Sequence, residues 1–283
     1  MRTSFKTALD RVSWPDLVEV WQRAEDLHVF DCGWVNDHYQ DFGDDFYGNA
    51  DVGPRGTFGA FTALAGLSAI TSRLRLGVMV SPVGLRNPIT LLKGAVTVDH
   101  VSNGRLELGL GAGWLEPEHV DYGTDLLRPG KRLDRFEEAL TIIRGLLDGD
   151  SVTFSGEYFE YTAAELRPLP VQQRLPIVTG GSGEKRSLPL TAKFADHWNF
   201  DFEGRDSMPE VFARKNSILS ELAVREGRDP TEIERSVQIP LVRGVGKAVE
   251  LGRRFVDAGA NHVIYFLRPP LRPDLLEELA SAL

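Results

Sequence analysis

The feature that most constrains this chain is an alternation. Short apolar segments of strand character take turns with longer segments of helical period, eight times along 283 residues. The strands are expected at Ser4–Leu9, Phe30–Val35, Leu74–Val80, Arg105–Leu110, Pro176–Thr179, His197–Phe200, Ser236–Val242 and His262–Phe266. Between them lie helical stretches such as Trp14–Leu27, Phe58–Thr71, Pro88–Val101, Arg132–Leu147, Asp206–Glu226, Lys247–Ala258 and a final one near Leu271–Ala282. Strands that each precede a helix run parallel, because the crossover returns the chain to the same end of the sheet. Eight such units predict an α/β fold, a (β/α)8 TIM barrel, and the length suits one domain over residues 1–283. The clearest helix places Leu133, Phe136, Leu140, Ile143 and Leu147 on one face beside Asp134, Arg135, Glu137 and Glu138, which puts it on the barrel wall.

Two segments exceed the bare barrel and are expected as insertions at its C-terminal face. Tyr39–Gly56 is rich in Gly and Asp and long enough for a functional loop. Within Asp148–Leu169, SVTFSGEYFEY reads as a hairpin turning at Ser155–Gly156. No internal repeat, low-complexity run or linker divides the chain.

Charge narrows the partners. With 32 Lys and Arg against 41 Asp and Glu, the net charge is −9, and an acidic surface repels nucleic acid and anionic lipid. Cys32 is the only cysteine, which excludes an intrachain disulfide and a multi-cysteine metal or iron–sulfur site. The first residues, MRTSFKTALDRVSW, alternate like a strand, and no run reaches the roughly 18 apolar residues of a membrane span. The chain is expected to be cytoplasmic, with a small molecule as its partner and no metal.

A barrel of this kind carries its site where strands end and helices begin. After the second strand stand Asn36, Asp37 and His38, and a histidine titrating near pH 6.5 suits proton transfer. In the other reading Asp37 caps a loop and His38 is a satisfied neighbour. After the third strand, Met79–Val80–Ser81–Pro82 runs into Arg86–Asn87–Pro88, where Pro88 suits a first helical turn. After the fourth, LGLGAGW sets Gly109, Gly111 and Gly113 at alternate positions, either to admit a flat ring or to let strands pack closely. It is no dinucleotide fingerprint, because Trp114 and Pro117 interrupt the helix that a GxGxxG would open. The fifth strand ends in Gly180–Gly181–Ser182–Gly183 before a helix whose start carries Lys185 and Arg186, a place where free N–H groups hold phosphate. Inside the fourth strand, Glu107 opposes the parity of Leu106 and Leu108, so it faces the interior and needs a partner. Arg75 has the matching parity, and a structural Arg75–Glu107 pair is expected.

These residues resemble the luciferase-like monooxygenase superfamily and, within it, the coenzyme F420-dependent oxidoreductases. Four ordered blocks carry the resemblance: FDCGWVNDHY, LRLGVMVSPVGLRNPITLLKGAVTVDHVSNGRLELGLGAGW, GKRLDRFEEALTIIRGLLDGDSVTFSGEYFEY and LPIVTGGSGEKRSLPLTAKFADHWN. The resemblance implies a deazaflavin oxidoreductase with His38 as the catalytic residue and Asp37 near the ring. It implies a bulge with a cis non-proline peptide at Met79–Val80–Ser81 behind the ring. Gly111, Ala112 and Gly113 would line the ring or its tail, and Gly180, Gly181, Ser182 and Gly183 would take the phosphate. Lys185 and Arg186 are candidates for the acidic tail of the deazaflavin. A homodimer is implied as well. Trp114 stands where the family's sugar-phosphate dehydrogenases carry a proton-donating glutamate, which argues against that chemistry. An FMN-dependent monooxygenase is the alternative enzyme, and a non-catalytic flavin-binding protein the alternative outside enzymes.

Overall fold

The computed structural model describes residues 1–43, 53–201 and 208–283. Eight parallel strands close a barrel: β1 (Arg2–Thr7), β2 (Cys32–Val35), β3 (Arg75–Pro82), β4 (Leu106–Gly111), β7 (Ile177–Gly180), β8 (His197–Phe200), β9 (Glu234–Pro240) and β10 (His262–Leu267). β10 pairs with β1 to complete the circle. The wall is α1 (Trp14–Leu27), α2 (Ala60–Ala69), α3 (Pro88–Val101), α5 (Pro129–Leu147), α6 (Ser187–Phe194), α7 (Pro209–Arg225), α8 (Val245–Asp257) and α9 (Pro273–Ala282), and a short α4 (Glu116–Asp121) follows β4. Among the described residues no helix is long and apolar enough to cross a membrane.

Each expected strand and helix forms, with shifts of a few residues at the ends. α1 and α3 keep the expected bounds because local chemistry fixes their starts: the side chains of Ser13 and Asn87 cap them and a proline stands in the first turn of each. Asp206, the expected start of the helix that forms as α7, lies outside the described residues. The hairpin forms as β5 (Val152–Ser155) and antiparallel β6 (Glu160–Ala164). Its tip is tied to α5 by Lys131 on Glu157 (2.8 Å), and Tyr161 donates to Asn87 (2.9 Å) at the start of α3, so it sits beside the mouth as a rim. Of the long insertion, 44–52 lie outside the described residues.

Most apolar burial lies between barrel and helices. On α5, Phe136, Leu140, Ile143 and Leu147 are buried as the period requires. A second, small apolar cluster of Cys32, Trp34, Met79, Val178 and Ile264 fills the barrel itself. Trp34 fits inside because its neighbour on β3 is Gly77, where a Cβ would lie 2.2 Å from the indole.

Candidate functional site at the barrel mouth

The interior of the barrel has two ends. At the N-terminal end Arg2 bridges Glu107 and Glu234 at 2.7 Å each, and Arg75 donates its Nε to Glu107 at 2.7 Å, the expected pair enlarged to a network. His197 and His262 turn Nδ1 toward these carboxylates, while their Nε2 atoms are held by Ser236 (2.6 Å) and Ser4 (2.7 Å). Burial works to raise the Glu107 pKa, yet His197, Arg2 and Arg75 hold it well below the carboxylate range. Glu234 is likewise drawn down against its burial to about 2, by His262, His197 and Arg2. The donor atoms of His197, Glu234 and His262 lie within 4.8 Å of one another, a spacing that would suit a metal. Two arginines already balance the two carboxylates, so a dication would add uncompensated charge to a buried layer. The group is a charge-balanced plug.

At the C-terminal end a cavity of about 360 Å³ opens among the strand ends. Met79, Val80, Pro82, Ala112, Leu133 and Phe136 give it apolar walls, and Lys6, Asn36, Asn199 and Gln238 give it polar groups. His38, Phe42, Trp114 and Glu118 stand on one side, and Gly180, Gly181 and Ser187 on another. A largely apolar cavity with few, fixed polar groups is the form of a cofactor or substrate site.

His38 lines this cavity and is held from behind. Its Nδ1 lies 3.2 Å from the Glu118 carboxylate, which also accepts from the Tyr39 N–H at 2.9 Å. A carboxylate that accepts from Nδ1–H leaves the Nε2 lone pair for the cavity. Phe42 meets the imidazole edge-on with centroids 4.8 Å apart and stacks on Trp114 at 6.0 Å, forming an aromatic rim. Trp114 is 61% exposed, so its outer face is open to solvent.

Asp37 and Ser81 stand behind the wall and do not line the cavity. Asp37 is fully buried and receives both arms of the Arg86 guanidinium, at 2.5 and 2.8 Å, with the Ser81 hydroxyl at 2.5 Å. This fork ties the end of β2 to the end of β3 and fixes the loop from which His38 projects. Burial lowers and the Asp37 carboxylate raises the Arg86 pKa, with a net rise.

The Met79–Val80 peptide is cis, and the register of β3 on β4 shifts between Val78 and Ser81. The bulge explains the alternate glycines. A Cβ on Gly109 would lie 1.9 Å from the Val78 carbonyl oxygen, and one on Gly111 would lie 2.6 Å from the Val80 side chain. Close strand packing therefore accounts for Gly109, and Gly111 makes room for Val80 as well as lining the cavity. Ala112 and Gly113 line it too, Gly113 with φ +85°.

Of the glycine loop, Gly180 and Gly181 reach the cavity, and Ser182 and Gly183 do not. α6 begins at Ser187, and no side chain caps its N-terminus. Arg186 is turned away onto Asp134 at 2.7 Å, and Lys185 is exposed.

Sequence reasoning missed Glu118, Arg86 as the partner of Asp37, and the floor residues Lys6, Asn199 and Gln238. The last three were legible by parity, since Lys6 follows Arg2 and Ser4 on the inward side of β1 as Glu107 does on β4.

The luciferase-like monooxygenase family model matches residues 3–256. An uncharacterized protein of Mycobacterium bovis is 31% identical over 175 residues, covering 56% of this chain and 61% of its own length. The pyrimidine monooxygenase RutA of Methylorubrum extorquens is 33% identical over 175 residues, 60% of this chain and 46% of that protein. The matches thus span about half to three fifths of these relatives. An F420-dependent secondary alcohol dehydrogenase, solved with an F420–acetone adduct, superposes with a TM-score of 0.83 over 99% of this chain and 98% of that one, at 20% identity, a likeness of fold.

Proposed function

The chain belongs to the luciferase-like monooxygenase family, and from that premise we propose that it is an oxidoreductase using coenzyme F420 for hydride transfer to or from a small organic substrate. The observation that carries the reading is His38, lining an apolar cavity of about 360 Å³ while Glu118 fixes its Nδ1. A flat ring fits between the apolar walls, and the bare backbone of Gly180 and Gly181 beside the uncapped start of α6 fits a phosphate. When bound, the deazaflavin supplies the hydride chemistry. The chain's own residues do the rest. Val80 and Ala112 position the ring, Phe42 and Trp114 keep water from the reacting side, and His38 Nε2 takes or returns the proton of a substrate hydroxyl.

His38→Ala tests the assignment. The variant is expected to bind F420 as the parent does and to lose turnover by about a hundredfold or more across small alcohols and carbonyl compounds. Unchanged turnover with cofactor bound would show that His38 is not the proton carrier. The second reading, an FMN-dependent monooxygenase, is favoured by the 33% identity to the pyrimidine monooxygenase. It predicts oxygen-dependent turnover with reduced FMN. We further propose that the protein acts in the cytoplasm as a homodimer without nucleic-acid partners.

A further inference from the structure

We propose that the exposed face of Trp114 is a substrate platform at the mouth cavity and selects a flat, conjugated substrate, such as an aryl carbonyl compound, over a saturated one of the same size. The proposal deepens the oxidoreductase reading and rests on it for which molecule occupies that side of the cavity.

Trp114 is carried on a fixed corner. β4 ends at Gly111, Gly113 turns the chain with φ +85°, and α4 begins at Glu116. The Arg132 guanidinium donates to the Gly113 carbonyl at 2.7 Å and ties the turn to α5. A Cβ on Gly113 would lie 3.1 Å from His119 Nε2 and 3.4 Å from Pro82, so the left-handed turn is tight for any side chain. From this corner the indole stacks on Phe42, with centroids 6.0 Å apart and planes 12° from parallel. His38 meets the indole at 5.8 Å and 81°, and meets Phe42 at 4.8 Å and 69°. Indole and phenyl thus face the same way, and the imidazole stands across both. A flat ring laid on the indole is parallel to Phe42 and nearly perpendicular to the imidazole, and an aryl carbonyl carries its oxygen in that same plane.

The indole lines the cavity and is nevertheless 61% exposed. A ligand ring stacked on it would bury apolar surface and gain the attraction specific to paired aromatic rings, whereas a saturated ring gains the area alone. Val120 and Tyr122, the exposed apolar side chains at the end of α4, do not line the cavity, so the bare indole belongs to the cavity and not to a wider surface patch. In the cofactor reading the phosphate lies at Gly180 and Gly181, on another side of the cavity, and the ring on Val80 and Ala112. Trp114 stands beside His38, so the molecule that meets it is the one that exchanges a proton with His38.

The test compares the parent with Trp114→Phe and Trp114→Leu, with thermal unfolding as the folding control and Trp114→Met in reserve if the leucine variant does not fold. Each protein is first titrated with F420. The loaded protein is then titrated calorimetrically with benzamide and with cyclohexanecarboxamide, two unreactive probes that share a polar group and differ in whether the ring is flat. The parent is expected to bind benzamide about fivefold or more tightly than the saturated amide, Trp114→Phe to keep most of that preference, and Trp114→Leu to bring the two within about twofold, with F420 affinity unchanged. Equal binding of the two amides by the parent, saturable binding of neither, or a preference that survives in Trp114→Leu overturns the proposal. Loss of F420 affinity in folded Trp114→Leu also overturns it, because the indole then carries the cofactor ring. Should the parent bind F420 in neither form, the cofactor reading fails by itself, and the same ratio measured on the cofactor-free protein decides the platform.

Discussion

The two ends of the barrel interior use the same kinds of side chain to opposite ends. At the N-terminal end Arg2, Arg75, Glu107 and Glu234 face one another at 2.7 Å and satisfy each other's charge. At the C-terminal end His38 and Asn199 are each fixed from behind and face a cavity. Between them Trp34 packs on the His197 and His262 rings at 5.7 and 6.2 Å, without itself lining the cavity. Polar groups that close on one another hold the barrel together, and polar groups held open in an apolar surround are available for a ligand. This is the division of labour between the two faces of such barrels.

Breaking the closed end has the largest expected effect on stability. Glu107→Ala removes the buried carboxylate on which Arg2 and Arg75 converge, leaving Arg2 with Glu234 and Arg75 with Gln172 and the Leu106 carbonyl, and should cost about 3 kcal/mol, read by denaturant unfolding. Cofactor affinity of the folded fraction should not move, and a parallel loss of affinity would dissolve the distinction between the ends. Acid gives a graded version. The Glu234 pKa falls from 4.5 in the unfolded chain to about 2 in the fold. Its stabilisation is present above the unfolded value and is lost as pH falls through the folded value, about 3 kcal/mol at most. Stability measured between pH 5 and pH 2 should fall over that window in the parent and fall less in Glu234→Gln.

Between the two ends, Gly111→Ala pushes a methyl to 2.6 Å from Val80 and should cost about 1–3 kcal/mol while reshaping the cavity wall, so stability and cofactor affinity decline together. At the open end the order reverses. Glu118→Gln should change stability by only about 1 kcal/mol, because an amide oxygen still accepts from the Tyr39 N–H. It should lower turnover about tenfold by loosening the hold on the His38 tautomer. A large loss of stability with unchanged turnover would place Glu118 with the closed end.

How much of this was legible in the residues differs by region for physical reasons. The barrel was, because its alternation of periods is local, and α1 and α3 were readable to their ends because a cap and a proline write each boundary into adjacent residues. The Arg75–Glu107 pair followed from parity, and its extension to Arg2, His197 and Glu234 did not, since closure of the ring through β10 decides which distant residues meet. At the mouth, His38 could be picked out by its place after a strand. Glu118 could not, because Trp114 and Pro117 read as an interruption where the chain begins a short new helix, with the proline in its first turn. Asp37 looked like a ligand-facing carboxylate until Arg86, 49 residues on, was seen to occupy both its oxygens. The alternate glycines looked like space for a ring, and part of that space belongs to the β3 bulge.

The central claim is that the open end holds a deazaflavin. Equilibrium titration of the purified cofactor-free protein with F420 and, separately, with FMN, each oxidised and reduced, tests it directly through the cofactor's own fluorescence and absorbance. The account predicts saturable binding of F420 in preference to FMN. Preference for FMN would contradict the deazaflavin assignment in favour of the monooxygenase reading, and binding of neither would contradict the assignment of the mouth cavity as a cofactor site.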